Sequence, residues 1–223
     1  MNKINRFILC IIDDVRADHF SILLKKGLMP HCEKLAKNGI YSNNCITDFP
    51  SITYPAHATI LTGTYTGDYK KELCHGIPLS NWMDRSTFPP TLRSYSSNDL
   101  QIYKINQDLG KNCATILEAV EDGNTASIAQ FINRGTDYFF PENKIKLILY
   151  YLLLMHPIKL KNMIARTNSA LVHKLLDTFK RPTRYFDNNE APVGSLLWFM
   201  SSDVLMHNFG FDSLIYKLNL LQI

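Results

Sequence analysis

Phe7-Ile8-Leu9-Cys10-Ile11-Ile12-Asp13-Asp14 is the stretch on which the fold turns. Its apolar run, rich in Ile, is bounded by Arg6 on one side and a pair of aspartates on the other. A half-exposed strand alternates polar and apolar positions, whereas an unbroken run predicts a strand covered on both faces of a parallel sheet. An α/β fold follows, and in such sheets ligands collect beyond the carboxyl ends of the strands. Asp13 stands at that end, where a cation or a phosphate could be held; a helix N-cap or a solvated strand end is the plainer use of an aspartate there. The run is shorter than the roughly 7–15 residues of a signal-peptide core, and aspartates stand where a cleavage site would need small residues.

The 223 residues suffice for one large domain, and 46% hydrophobic with 11% aromatic residues excludes a disordered or collagen-like chain. The net charge of +4 is spread without a Lys/Arg block, so no nucleic-acid footprint is expected. Cys10, Cys32, Cys45, Cys74 and Cys113 are odd in number and form no C-x-x-C pair. They read as reduced, mostly buried thiols rather than a disulfide framework or a zinc knuckle. The apolar stretch Ile145 to Met155 contains Lys146, stops before Pro157 and is about half the roughly 20 residues needed to span a bilayer. No membrane span and a cytoplasmic protein are expected.

Outward from the first strand, Leu28, Cys32, Leu35 and Ala36 approximate helical spacing, Pro30 opens a helix and Gly39 stops it. Ile40-Tyr41 begins a second extended piece. Asp48 to Gly63 reads as a loop feeding a short helix, and 64–100 as loop-rich. Asn124 to Asn133, Lys144 to Met155 and Asn162 to Phe179 read as helices, the last with Ile164, Leu171, Leu175 and Leu176 on one side. After a polar break at 181–192, Val193 to Phe199 returns to a strand and ends at Ser201-Ser202-Asp203. The expected architecture is one domain over 1–223, a mostly parallel sheet flanked by helices, with a mostly helical insertion at 105–190.

Two further features carry chemistry. Asp203 precedes His207 by four residues, which on a helix puts a carboxylate and an imidazole on one face, within reach of one metal. In Phe49-Pro50-Ser51-Ile52-Thr53-Tyr54-Pro55-Ala56-His57 the hydroxyl of Thr53 falls near the positive N-terminal end of the following helix, where anions are favoured. Capping that helix is the equally simple use of the same hydroxyl.

Several blocks together resemble the alkaline phosphatase superfamily: Ile11-Ile12-Asp13-Asp14-Val15-Arg16, Met29-Pro30, Phe49 to Pro55, Leu61-Thr62-Gly63, His75-Gly76-Ile77-Pro78 and Asp203-x-x-x-His207-x-x-Gly210. The likeness is nearest to the type I phosphodiesterase / nucleotide pyrophosphatase branch and covers about 6–85 and 194–217. It implies hydrolysis of phosphodiester or pyrophosphate bonds with two zinc ions and a phospho-threonine intermediate. By resemblance, Asp13 is a ligand of one zinc, and Thr53 is the nucleophile bound to that zinc. Asp203 and His207 resemble ligands of the other, which activates water. An Asn after the His-Gly-Ile motif would donate to a phosphate oxygen. Ser80 holds the aligned place and Asn81 follows; Asn81 is the candidate because an amide NH2 donates better than a hydroxyl rotor. A small phosphate ester, a nucleotide among the candidates, is the implied substrate. A non-catalytic relative, or a phosphomonoesterase or phosphomutase on the same scaffold, is the alternative.

Sulfatases share the tandem Asp13-Asp14, but their modified nucleophile lies in a C/S-x-P-x-R motif. Here that motif reads Thr53-Tyr54-Pro55-Ala56-His57, and Thr cannot become formylglycine, which favours phosphoryl chemistry. Asp14 ranks below Asp13 as a ligand because Gly commonly occupies its place in the phosphodiesterase branch. The family pattern carries a further Asp-His pair and a later His, whereas this sequence ends at Ile223, sixteen residues past His207. The adjacent Asp18-His19 reads as a helix start, and His156 and His173 as core or surface residues. Two ligands per zinc fall short of the three usual in catalytic sites, so the chain is expected to be the N-terminal portion of a longer domain.

Overall fold

The structure, a computed structural model, describes residues 6–67, 73–96, 101–142 and 160–222. The elements run β1 (Phe7–Ile12), α1 (Ala17–Lys25), α2 (Pro30–Asn38), α3 (Thr53–Thr62), β2 (Asn81–Asp84), β3 (Thr91–Ser94), α4 (Ile105–Asp108) and β4 (Thr125–Ile128). They continue with β5 (Tyr138–Phe140), α5 (Leu160–Lys180), β6 (Gly194–Phe199), α6 (Ser201–Phe209) and α7 (Leu214–Leu220). The main sheet has the order β1–β6–β4–β5, with β4 parallel to both β6 and β5. This is the α/β class expected, a mostly parallel sheet with helices. By its internal contacts the chain forms two units, one of residues 1–9, 47–144 and 174–197, the other of 10–46, 145–173 and 198–223.

In the first unit, Ala126 of β4 pairs with Ser195 on one side and Tyr138 on the other, and β4 is buried throughout. The core around the sheet includes Leu61, Ile77, Ile105, Ile128, Phe131 and Ile132. Helix α3 buries Pro55, His57, Ala58 and Leu61 and stops where Gly63 takes the left-handed conformation, its N–H donating to Thr59 O at 2.9 Å. A two-stranded hairpin, β2–β3, lies inside the stretch expected to be loops. Its Arg93 reaches Asp84 at 2.9 Å and Asp108 at 3.1 Å, and Tyr95 OH donates to Asp108 at 2.9 Å.

In the second unit, α6 and α7 bury Leu205 and Tyr216. Asn168 Nδ2 donates to Ser201 Oγ at 3.0 Å, tying α5 to the start of α6.

Several expectations are corrected. Asn124 to Asn133 is not a helix, because 125–128 is strand β4, and among the described residues of 105–190 both β4 and β5 belong to the main sheet. The polar residues that disguise β4 are satisfied inside: Thr125 donates to Gly135 O at 2.8 Å, and its N–H donates to Asp137 at 2.7 Å. Ile40-Tyr41 forms no strand. β1 is an edge strand with Ile8 51% exposed, so it is not covered on both faces. All five cysteines are free, as expected, but only Cys113 is buried. The helix expected at Lys144 to Met155, together with His156, lies outside the described residues. No described helix is long and apolar enough to cross a membrane.

Candidate functional site

The strand-end aspartates are held by their main chain. Asp13 N–H donates to Phe199 O at 3.1 Å, continuing the pairing of β1 and β6. Ser202 Oγ donates to Asp13 O, and Tyr216 OH to Asp14 O at 2.9 Å, so α6 and α7 clamp the turn. Asp14 itself adopts φ 53°, a left-handed conformation that a side chain bearing Cβ rarely takes. Asp13 accepts from Asp14 N–H at 3.0 Å and from Trp198 Nε1 at 3.3 Å.

Asp203 lies in the first turn of α6, where a carboxylate complements the helix dipole, and His207 follows in its last turn. Their side chains meet at 3.3 Å (His207 Nε2 to Asp203 Oδ1), and His207 Nε2 is 4.0 Å from Asp14 Oδ2. One ligand atom each from Asp14, Asp203 and His207 lies within 4.8 Å of the others. Two carboxylate oxygens and an imidazole nitrogen form a donor set of the kind zinc takes.

Charge crowding marks the same place. Burial, then the charges of Asp203 and Asp14, push the Asp13 carboxyl up to about 7, against hydrogen bonds from Trp198 and Asp14 N–H. Burial also raises Asp203 to about 6; His207 opposes the rise and Asp14 adds to it.

Thr53 lies in the first unit. The chain enters α3 extended at Ile52 (φ −119°, ψ 153°), which takes the cap position, so helix capping does not account for the Thr53 hydroxyl. That hydroxyl belongs to the first helical residue, half-buried at the positive end of α3. One turn on, His57 is buried, stacked on Phe131 at 5.0 Å between ring centroids. Ile132 N–H donates to Gln130 Oε1 at 3.3 Å, which leaves Gln130 Nε2 to donate to His57 Nδ1 at 3.0 Å. Burial lowers the His57 pKa to about 4, so the ring is neutral.

Next to it runs a directed chain of hydrogen bonds. Ile77 N–H donates to His75 Nδ1 at 3.1 Å, His75 Nε2–H donates to Thr59 Oγ1 at 3.1 Å, and Thr59 donates to Asp48 Oδ2 at 2.6 Å. This chain ties the loop before Thr53, the middle of α3 and the His-Gly-Ile turn together. Asn81 opens β2 at the surface; its Nδ2 donates to Ser96 Oγ at 3.1 Å, and its Oδ1 accepts from Ser94 Oγ at 2.5 Å. Tyr54 packs on Phe131 and Tyr95, at 5.2 and 5.8 Å between centroids.

The structure thus gathers Asp13, Asp203 and His207 in one unit and places Thr53 and Asn81 in the other. Sequence reasoning ranked Asp14 low, yet its carboxylate is the one that groups with Asp203 and His207; the tandem Asp was the available signal. The Asp48–Thr59–His75 chain left no signal, since it joins residues from three separate segments.

The family described as type I phosphodiesterase / nucleotide pyrophosphatase matches residues 7–220. An uncharacterized pyrophosphatase/phosphodiesterase of Schizosaccharomyces pombe is 37% identical over 76 residues, which are 34% of this chain and 14% of that protein. Two structures of murine ectonucleotide pyrophosphatase / phosphodiesterase 5 superpose with TM-scores of 0.62 and 0.63 at 17% identity. They match 97% and 98% of this chain and 50% of theirs, so this chain spans about half their length. One of them is an inactive threonine-to-alanine variant in complex with AMP. Identity this low shows the shared fold alone.

Proposed function

This chain belongs to the type I phosphodiesterase / nucleotide pyrophosphatase family, and from that premise we propose that it serves the metal-dependent hydrolysis of phosphodiester or pyrophosphate bonds in nucleotide-type substrates, with Thr53 as nucleophile. The observation that carries the reading is the placement of Thr53: first residue of a ten-residue helix, half-buried, with the cap position taken by Ile52. Inactivity of the murine neighbour's threonine-to-alanine variant, and its AMP complex, support the residue type and the substrate class.

In the proposed reaction Thr53 Oγ forms a bond to phosphorus as the bond from phosphorus to the leaving oxygen breaks, and the hydroxyl proton passes by way of solvent water to the leaving oxygen. Water then attacks the phospho-threonine and releases Thr53. A zinc ion at the strand-end ligands, when bound, supplies charge neutralisation and lowers the pKa of a bound hydroxyl or water. Asp203 and His207 are the proposed holders of one zinc, and Asp13 and Thr53 are proposed for the second on the family resemblance. The N-terminus of α3 favours the substrate's negative charge. Asn81 is the proposed donor to a phosphate oxygen; its Nδ2 would exchange Ser96 for that oxygen.

The test compares bis(p-nitrophenyl) phosphate with p-nitrophenyl phosphate in the presence of zinc, for wild type and Thr53→Ala. Preferential hydrolysis of the diester is expected, and its loss in Thr53→Ala while the Asp203–His207 site still takes up zinc. Turnover retained by Thr53→Ala refutes the nucleophile.

A further inference from the structure

We propose that Asp14 is a third protein ligand, beside Asp203 and His207, of one divalent cation, so that this chain holds that ion with residues of its own strand ends and α6. The proposal takes its cation class from the metal-dependent reading above and adds a ligand to the pair named there.

Four observations carry it. The ligand atoms of Asp14, Asp203 and His207 lie within 4.8 Å of one another and mix two oxygens with a nitrogen. Such a triad meets the three-ligand, one-open-position pattern of catalytic zinc, which Asp203 and His207 do not reach as a pair. The Asp14 carboxylate is also carried on a fixed support, because its main chain is pinned by Tyr216 and that of Asp13 by Ser202. Solvent reaches the cluster from one side: the His207 side chain is 69% exposed, against 32% for Asp14 and 26% for Asp203. That gives an ion an entry path on the imidazole side. Among the described residues the ion-pair partner of both Asp14 and Asp203 is His207; no Lys or Arg pairs with either. Among the described residues Asp14 therefore pairs with no lysine or arginine that would make it a surface fastener.

The experiment titrates the EDTA-stripped chain with Zn²⁺ by calorimetry and follows melting with and without the metal. Wild type is compared with Asp14→Asn, Asp14→Gly, Asp203→Asn and Thr53→Ala. Asp14→Asn and Asp14→Gly are expected to weaken Zn²⁺ binding by more than the roughly 10–100-fold that loss of an outer-shell partner costs. In EDTA both should melt at or above the wild-type temperature, since like-charge crowding is relieved and, in the Gly variant, a left-handed residue loses its Cβ. Asp203→Asn should weaken binding as much. Wild-type Zn²⁺ affinity in both Asp14 variants overturns the proposal, as does a wild type that takes up no Zn²⁺. A fall in the EDTA melting temperature that parallels the lost affinity also overturns it, by making Asp14 structural. Thr53→Ala separates the two readings: diester turnover that survives in it defeats the nucleophile assignment without touching the Asp14 result.

Discussion

Two groups of carboxylates in this molecule are built in opposite ways. Asp84 and Asp108 in the hairpin unit share one guanidinium, Arg93, at 2.9 and 3.1 Å, and Asp84 is held below the usual carboxylate range by hydrogen bonds from Ser86 and Arg93. At the strand ends, Asp13 is pushed up to about 7 and Asp203 to about 6, mainly by burial and with Asp14 adding to both. The first group is closed by a cation the chain supplies. The second crowds acidic groups around one exposed imidazole, the arrangement on which the proposed cation site rests. The two groups differ in the nearest cation, a guanidinium in one and an exposed imidazole in the other.

The largest expected effect falls on chemistry. Thr53→Ala should lower diester turnover by on the order of 10⁴–10⁶-fold, as loss of a nucleophile does, with zinc still taken up at Asp203 and His207. Beneath it, His57→Ala should cost about 2–4 kcal/mol in chemical denaturation, because it leaves a cavity against Phe131 and strands the Gln130 amide. The two carboxylate groups should then answer with opposite signs. Asp203→Asn should raise stability in EDTA by about 1–2 kcal/mol, whereas Arg93→Ala should lower it, leaving Asp84 and Asp108 crowded as the strand-end acids are. Destabilisation by both would break the comparison. The smallest effect is expected from Lys174→Met, about 0.5–1 kcal/mol, through loss of the ammonium that stands 4.8 Å from the Tyr185 ring centroid and 5.5 Å from that of Tyr138.

Stability against pH sharpens the same contrast. Asp13 and Asp203 have folded pKa values above their ordinary 3.8, so the folded chain holds protons that the unfolded chain releases. In EDTA their contribution declines as pH rises from about 4 to about 7 and is level beyond. His57 and His75 are lowered from 6.5 to about 4 by burial, so their contribution is full above pH 6.5 and fades as pH falls toward 4. Over about pH 4–6 two raised acids oppose two lowered imidazoles, so urea denaturation in EDTA should show a nearly level profile that Asp203→Asn tilts toward higher stability at neutral pH. An unchanged profile in that variant would locate the charge strain elsewhere.

Elements marked by local pattern were legible in the sequence: β1 from its apolar run, α2 between Pro30 and Gly39, α3 up to Gly63, and β6 from its buried stretch. Strand β4 was not. Its Thr125 and Ser127 put polar groups inside a strand that is buried throughout, and the groups that satisfy Thr125, Gly135 O and Asp137, come from the next loop. The four-residue spacing of Asp203 and His207 could be read directly, since a helix fixes that geometry. What could not be read was the handedness of the backbone at Asp14, where Ser202 and Tyr216 clamp the turn from far along the chain. The role of His57 was hidden likewise, because its partner Gln130 lies 73 residues away.

The most direct test of the central claim is to capture the covalent intermediate. The zinc-loaded chain is mixed with a labelled diester, quenched in acid and mapped by peptide. The account predicts label on the peptide that carries Thr53, absent in Thr53→Ala and absent in EDTA. Label on another residue, or diester hydrolysis that leaves no label on Thr53, would contradict it.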